Sequence, residues 1–174
     1  WDALVLCFAD PQMKAMFSAD EQAITVEAKS LPGHWQRAFA FDMDQAMIGA
    51  IWAARDPHTD VVYLYDEYRI ARSELAVHKE AMVKRGAWIP GLFDMLGRGR
   101  KKDESVRIID RLSDQLNLFT VEIDEGAAVE EMQARLSTGR LKVFDHLGGW
   151  LSEYRQFKRK DGEPVAGAGD HLMK

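Results

Sequence analysis

Residues 37–44 read RAFAFDMD, small and aromatic apolar residues in alternation that close on two carboxylates, Asp42 and Asp44. As a strand, whose side chains alternate between faces, the stretch puts Ala38, Ala40, Asp42 and Asp44 on one face and Phe39 and Phe41 on the other. An acid then stands at a strand's C-terminal end. In an open sheet covered by helices, ligands are held at such ends, so Asp42 is a candidate for metal or catalytic work. Acids that simply close a strand and open a turn are the plainer alternative.

Outward from this stretch the pattern first repeats and then changes. Residues 48–54 (IGAIWAA) and 61–65 (VVYLY) are further apolar runs, joined by the polar turn 55–60 (RDPHTD), and the three runs predict an antiparallel meander. Ser73 then offers an N-cap, residues 74–85 carry Leu75, Val77, Ala81 and Met82 at helical spacing, and Gly86 sits where a C-terminal glycine belongs. Residues 87–93 (AWIPGLF) are a short apolar run ending at Asp94, with Pro90 and Gly91 weighing against a regular interior strand. A helix follows over 103–115, with Val106, Ile109, Leu112 and Leu116 on one stripe, then a strand over 118–123 (LFTVEI). A helix over 125–137 is stopped by Gly139; 141–144 is a brief extended piece, 147–157 a helix, and 158–169 a loop rich in charge and glycine. Upstream, 23–28 (AITVEA) predicts a short strand and 31–33 a turn, within a lead-in of residues 1–36 that packs on the domain proper, residues 37–174.

The order β-β-β-α-β-α-β-α predicts an α/β fold: a three-strand antiparallel meander plus two strands parallel to the first, because right-handed crossovers through a helix return to the same sheet. If the fourth strand lies beside the first, Asp42 and Asp94 stand at neighbouring parallel strand ends, ~4.8 Å apart. Two carboxylates so close repel, and a divalent cation relieves the repulsion.

Composition sets the bounds. A chain of 174 residues is one ordinary domain, and 47% hydrophobic with 29% charged residues reads as soluble and globular. No apolar run approaches the roughly 20 residues of a membrane span, and no basic-then-apolar leader opens the chain, so we expect an intracellular protein. The single Cys7 excludes an internal disulfide and a cysteine-built zinc site, and reads as a buried thiol. The net charge of -5 argues against a general nucleic-acid coat yet leaves room for a local basic groove. Two such clusters flank the acids: Arg98, Arg100, Lys101 and Lys102 after Asp94, and Arg155, Lys158, Arg159 and Lys160 before Asp170. Each reads either as a solvated surface or as a phosphate-steering patch. Glu67 and Asp66 read as a solvated strand end, with approach to the acids as the alternative. His34, His58, His78 and His146 are scattered and suit surface or packing roles; Trp35, Trp88, Trp150, Tyr154 and Phe157 suit core or interface. No G-x-x-x-x-G-K-[ST] segment is present, which excludes P-loop nucleotide hydrolysis from this sequence.

Strand-end acids in this element order are what ribonuclease H-like nucleases show. FAFDMDQAMIGAIW, DVVYLYDEYR, WIPGLFD before GRGRKKD, GRLKVFDHLGGWLSEYRQFKRKDGEPV and the closing DHLM together resemble the nuclease domain of the large terminase subunit of tailed bacteriophages, from about Phe39 to the end. The resemblance implies a ribonuclease H-like fold and a metal-dependent endonuclease that cuts double-stranded phage DNA during packaging, in the host cytoplasm. It implies Asp42, Asp94 and Asp170 as catalytic metal ligands, with His171 beside the last, and two ions of Mg2+ or Mn2+. Relatives often carry a further Asp where this chain has Lys174, and a Gly after the first acid where it has Met43. The implied partners are DNA, the small terminase subunit, the portal, and a packaging ATPase domain earlier in the same full-length chain. The start at Trp1 fits a piece of such a longer protein. Alternative readings are a ribonuclease H-like resolvase or RNA–DNA hybrid nuclease, and an inactive ribonuclease H-like module that docks on DNA.

Overall fold

A computed structural model describes residues 19–43, 47–71, 74–94, 102–121 and 125–156. In chain order the elements are α1 (Glu21–Ile24), β1 (Thr25–Val26), β2 (Gln36–Met43), β3 (Met47–Arg55), β4 (Val62–Ala71), α2 (Leu75–Gly86), β5 (Gly91–Asp94), α3 (Lys102–Leu112), β6 (Leu118–Val121), α4 (Glu125–Ser137), β7 (Leu141–Phe144) and α5 (Gly148–Gln156). The described strands form one seven-stranded sheet in the order β1-β7-β4-β3-β2-β5-β6. β2, β3 and β4 make the expected antiparallel meander, and β5 and β6 run parallel to β2 on its far side. Among the described strands only β3 runs against the others, so the C-terminal ends of β2, β4, β5, β6 and β7 share one edge. This is the ribonuclease H-like arrangement.

Alternation along β2 divides the core as its sequence requires. Ala38 and Ala40 join Ile51, Ala53 and Leu64 under α4 and α5, which contribute Ala128, Met132, Leu136, Trp150, Leu151 and Tyr154. The alanines leave room there for the stacked pair Trp150 and Tyr154, whose rings are 5.3 Å apart. Phe39 and Phe41 face the opposite layer of α2 and α3, stacking on Trp52 at 5.2 Å and Phe93 at 4.8 Å.

Several expectations are corrected. The third strand does not stop at Tyr65: a bulge inserts Tyr65 between the pairs Trp52↔Asp66 and Ala53↔Leu64, and β4 continues to Ala71. The extra residue flips the alternation, placing Val62 and Leu64 in one core layer and Tyr68 in the other, which hides the strand's continuity from a period-two reading. Residues 141–144 are a full strand between β1 and β4, parallel to both. The strand expected over 23–28 shrinks to Thr25–Val26, because Ile24 ends helix α1, which Asp20 caps by accepting from the Gln22 amide. The buried stripes of α2 and α3 are His78 with Met82 and Ile108 with Leu112; Val77 and Val106 face solvent. Trp88, expected in core or interface, is 62% exposed and so not in the core. The proposed cap Ser73, the thiol of Cys7, Phe157 and the loop 158–169 lie outside the described residues.

Two details hold the strands in place. At Gly91 a Cβ would lie 2.6 Å from Leu118 Cδ2 and against the Phe39 ring, so only a glycine lets β5 lie flat between β2 and β6. At the sheet's opposite end Asp60, with φ of 57°, gathers Arg55 Nε at 2.6 Å, Arg140 Nη1 at 2.8 Å and Arg135 Nη2 at 3.1 Å, tying the β3–β4 turn to the α4–β7 turn. Burial pushes the Asp60 carboxyl upward, but hydrogen bonds and charge from Arg55 and Arg135 outweigh it and hold the group below its ordinary value.

Gly91→Ala is expected to cost about 1–3 kcal/mol by overpacking, lowering the melting temperature by roughly 2–4 °C per kcal/mol; an unchanged melting curve would show that β5 moves freely. Because the Asp60 pKa is depressed, its contribution is present above the unfolded carboxylate value of ~4 and is lost as pH falls through the lower folded value. Asp60→Asn should therefore flatten the acid limb of a stability–pH profile while lowering stability at neutral pH.

Candidate functional site

Asp42 is the penultimate residue of β2 and is 7% exposed, an acid sunk into the C-terminal edge of the sheet. Asp94 is the last residue of β5. The parallel register Ala40↔Leu92, continued by two residues, sets position 94 level with Asp42 on the neighbouring strand, about 4.8 Å away. The local sequence produces this directly: Gly91 admits the close β2–β5 approach, and the Phe39 amide donates to Pro90 O at 2.9 Å just before the paired stretch.

Oxygen donors at a strand end suit a hard cation such as magnesium or manganese better than zinc, and a carboxylate buried as deeply as Asp42 suits a charged ligand. Among the described residues no group of three or more His, Cys, Asp or Glu side chains converges as a ready-made metal cage. Asp170 and His171 lie outside the described residues, as do Asp44, Arg98, Arg100, Lys101, Lys158, Arg159 and Lys160; Lys102 opens α3.

Asp66 and Glu67 are not a solvated strand end. The Asp66 carboxylate takes Arg85 Nε at 2.9 Å, and that guanidinium lies 4.8 Å over the Trp52 ring. Glu67 turns to the opposite face and caps α5, accepting from the Gly149 amide at 2.9 Å on one oxygen and the Trp150 amide at 2.8 Å on the other. Two residues on, Arg69 Nη1 meets Glu153 Oε1 of α5 at 2.9 Å. The far end of that helix is tied to the N-terminal segment: the Tyr154 hydroxyl donates to Ala19 O at 2.7 Å, and Arg155 holds Glu21 through two hydrogen bonds. Burial, aided by Glu21 and Asp20, pushes Tyr154 up to about 12, so it stays a donor throughout the working range of pH.

Of the histidines, His78 packs 1% exposed with Nδ1 2.9 Å from the Tyr68 hydroxyl, a packing role as expected. The clamp of Glu67, Arg69 and Glu153 on α5 escapes sequence reading. Its only signal is the run of charges in DEYR, and that run acquires meaning once the bulge fixes which charges face α5.

An acid-bearing edge on a ribonuclease H-like sheet defines the class of the fold. No family model matches the chain, and no curated protein matches it. Solved structures do: the fold is that of large terminase nuclease domains. The nuclease domain of the P22 large terminase superposes with a TM-score of 0.75 at 17% identity, over 94% of this chain and 87% of that one. The nuclease domain of the large terminase g2p of bacteriophage SPP1, solved with bound Mn, gives 0.60 at 13% identity over 89% and 93%. The large terminase of a thermophilic bacteriophage, in complex with ADP, gives 0.63 at 13% identity over 82% of this chain and 36% of that longer one. No described helix is long and apolar enough to cross a membrane.

Glu67→Ala removes both acceptors at the start of α5, and we expect a loss of about 0.5–2 kcal/mol. Hydrogen exchange should accelerate first at Gly149 and Trp150; uniform protection across α5 would mean that packing alone holds the helix.

Proposed function

We propose that this chain is a metal-dependent endodeoxyribonuclease that cuts double-stranded phage DNA during genome packaging. The observation that carries the reading is the register that sets Asp42 and Asp94 level on adjacent parallel strands, in a fold shared with large terminase nuclease domains. Asp42 and Asp94 would hold divalent cations, with Asp170 and His171 completing the set. When bound, two ions of the magnesium or manganese kind supply Lewis acidity toward the phosphoryl oxygens and toward an attacking water. The protein's own part is to fix the two acids on rigid strands, so that no reorganisation is needed when the phosphate arrives. Arg98, Arg100, Lys101, Lys102, Lys158, Arg159 and Lys160 would neutralise the DNA backbone on either side, releasing counterions and making binding salt-dependent. An ATPase domain in the full-length protein, the small subunit, the portal and the host cytoplasm follow from the same reading.

The test is incubation of the protein with supercoiled plasmid in magnesium, manganese or chelator, with an RNA–DNA hybrid in parallel. Nicking and linearisation of the plasmid only with metal is expected, and Asp42→Asn or Asp94→Asn should each slow it about a hundredfold or more. Removing one of two repelling charges should leave metal-free thermal stability unchanged or raised. A variant cutting at the normal rate would overturn the site assignment; cleavage of the hybrid alone would favour the other nuclease reading.

A further inference from the structure

The sheet ends on one side at β6, and among the described residues no strand pairs with its outer edge. The Gly91 amide donates to Asn117 O at 2.8 Å, while Gly91 itself stands level with Leu118. Main-chain groups alternate in direction along a strand, so those of Asn117, Phe119 and Val121 turn to β5 and those of Leu118 and Thr120 turn outward. Neither helical layer overhangs this edge. Phe119, level with buried Leu92 on the face of α4, is 50% exposed, and Thr120 on the other face is exposed as well. Residues 117–121 read NLFTV, without the charges or proline by which edge strands are kept apart. The opposite edge differs: β1 is only two residues long, and Glu27 and Lys29 follow it.

We propose that β6 is a pairing edge, occupied by β6 of a second copy of this chain, antiparallel and centred on Phe119. The direction of the outward groups selects this register. Antiparallel partners exchange hydrogen bonds between outward-facing residues, here Leu118 of one copy and Thr120 of the other, and the symmetric centre between them sets Phe119 against its twin. That central pair is of the kind without hydrogen bonds, with Cα atoms ~4.5 Å apart, where side chains come closest. Two half-exposed phenylalanines then cover one another. The uncharged NLFTV favours a copy of itself as the occupant, because self-pairing sets like against like and a charged strand would repel its twin. The twofold axis stands perpendicular to the sheet, keeps the α4 layers of both copies on one side, and points the two acidic edges in opposite directions. The inference goes beyond the nuclease reading and does not depend on it.

Such an interface is small, so a dissociation constant on the order of 10–100 μM is expected. Sedimentation velocity from about 1 to 500 μM, a range that brackets this value, is compared for the wild type, Thr120→Pro and Phe119→Lys, with melting curves for each. Thr120→Pro removes an outward donor that β5 does not use, and Phe119→Lys sets two cations face to face across the axis. Each should raise the dissociation constant roughly tenfold or more while melting near the wild-type temperature. If Thr120→Pro melts early, Phe119→Lys decides alone, since its side chain replaces one at the surface. Cross-linking reads the register in a Cys7→Ala background. Phe119→Cys falls within disulfide reach of its twin at ~4.5 Å between Cα atoms, whereas Asn117→Cys, on the same strand and face, lies ~14 Å from its own. Rapid disulfide formation at 119 alone is expected. A wild type that stays monomeric over the whole range overturns the proposal, as does a dimer that Phe119→Lys leaves intact, or equal cross-linking at 117 and 119.

Discussion

The parallel pairing of β5 with β2 is the contact on which the rest of this structure depends, because it brings positions 42 and 94, 52 residues apart in the chain, to one level of one sheet edge. That pairing is short, Phe39↔Gly91 and Ala40↔Leu92, and is held by apolar burial: Phe39 is wholly buried against Gly91 and Trp52, and Phe93 against Phe41.

The other face is built to a different end. Alanines on β2 admit the bulky residues of α4 and α5, and three charged residues of β4 and α5, Glu67, Arg69 and Glu153, fix where α5 begins and how it lies. Position 156 ends α5, and the sequence beyond it carries Lys158, Arg159, Lys160, Asp170 and His171. Anchoring α5 at Glu67, Glu153 and Glu21 fixes the helix against β4 and the N-terminal segment. The hydrogen bonds and ion pairs at three successive places make the helix a fixed arm rather than a surface ornament.

Much of this was legible in the sequence wherever a local rule was sufficient. Alternation in residues 37–44 assigned the correct faces to Ala38, Ala40, Phe39 and Phe41, and the crossover rule made the fourth strand parallel to the first, though their adjacency entered only as a condition. What escaped is what depends on contacts distant in sequence. β7 is four residues long and declares itself a strand only by lying between β1 and β4. The continuation of β4 is concealed by its bulge, and with it the face on which Asp66, Glu67 and Arg69 fall. Tyr65 at the bulge ends the visible alternation, so DEYR reads as a solvated end although each of its first two acids has a partner. The level of positions 42 and 94 follows once β5 lies beside β2, an adjacency that local sequence rules leave open.

The claim that this edge is a divalent-metal centre is tested most directly by diffraction from crystals soaked in manganese, using the anomalous signal of the metal to locate it without assumption. Anomalous density is expected within ligand distance of the Asp42 and Asp94 carboxylates, and should be lost in Asp42→Asn. Density only elsewhere on the molecule, or the same density in the variant, would contradict it.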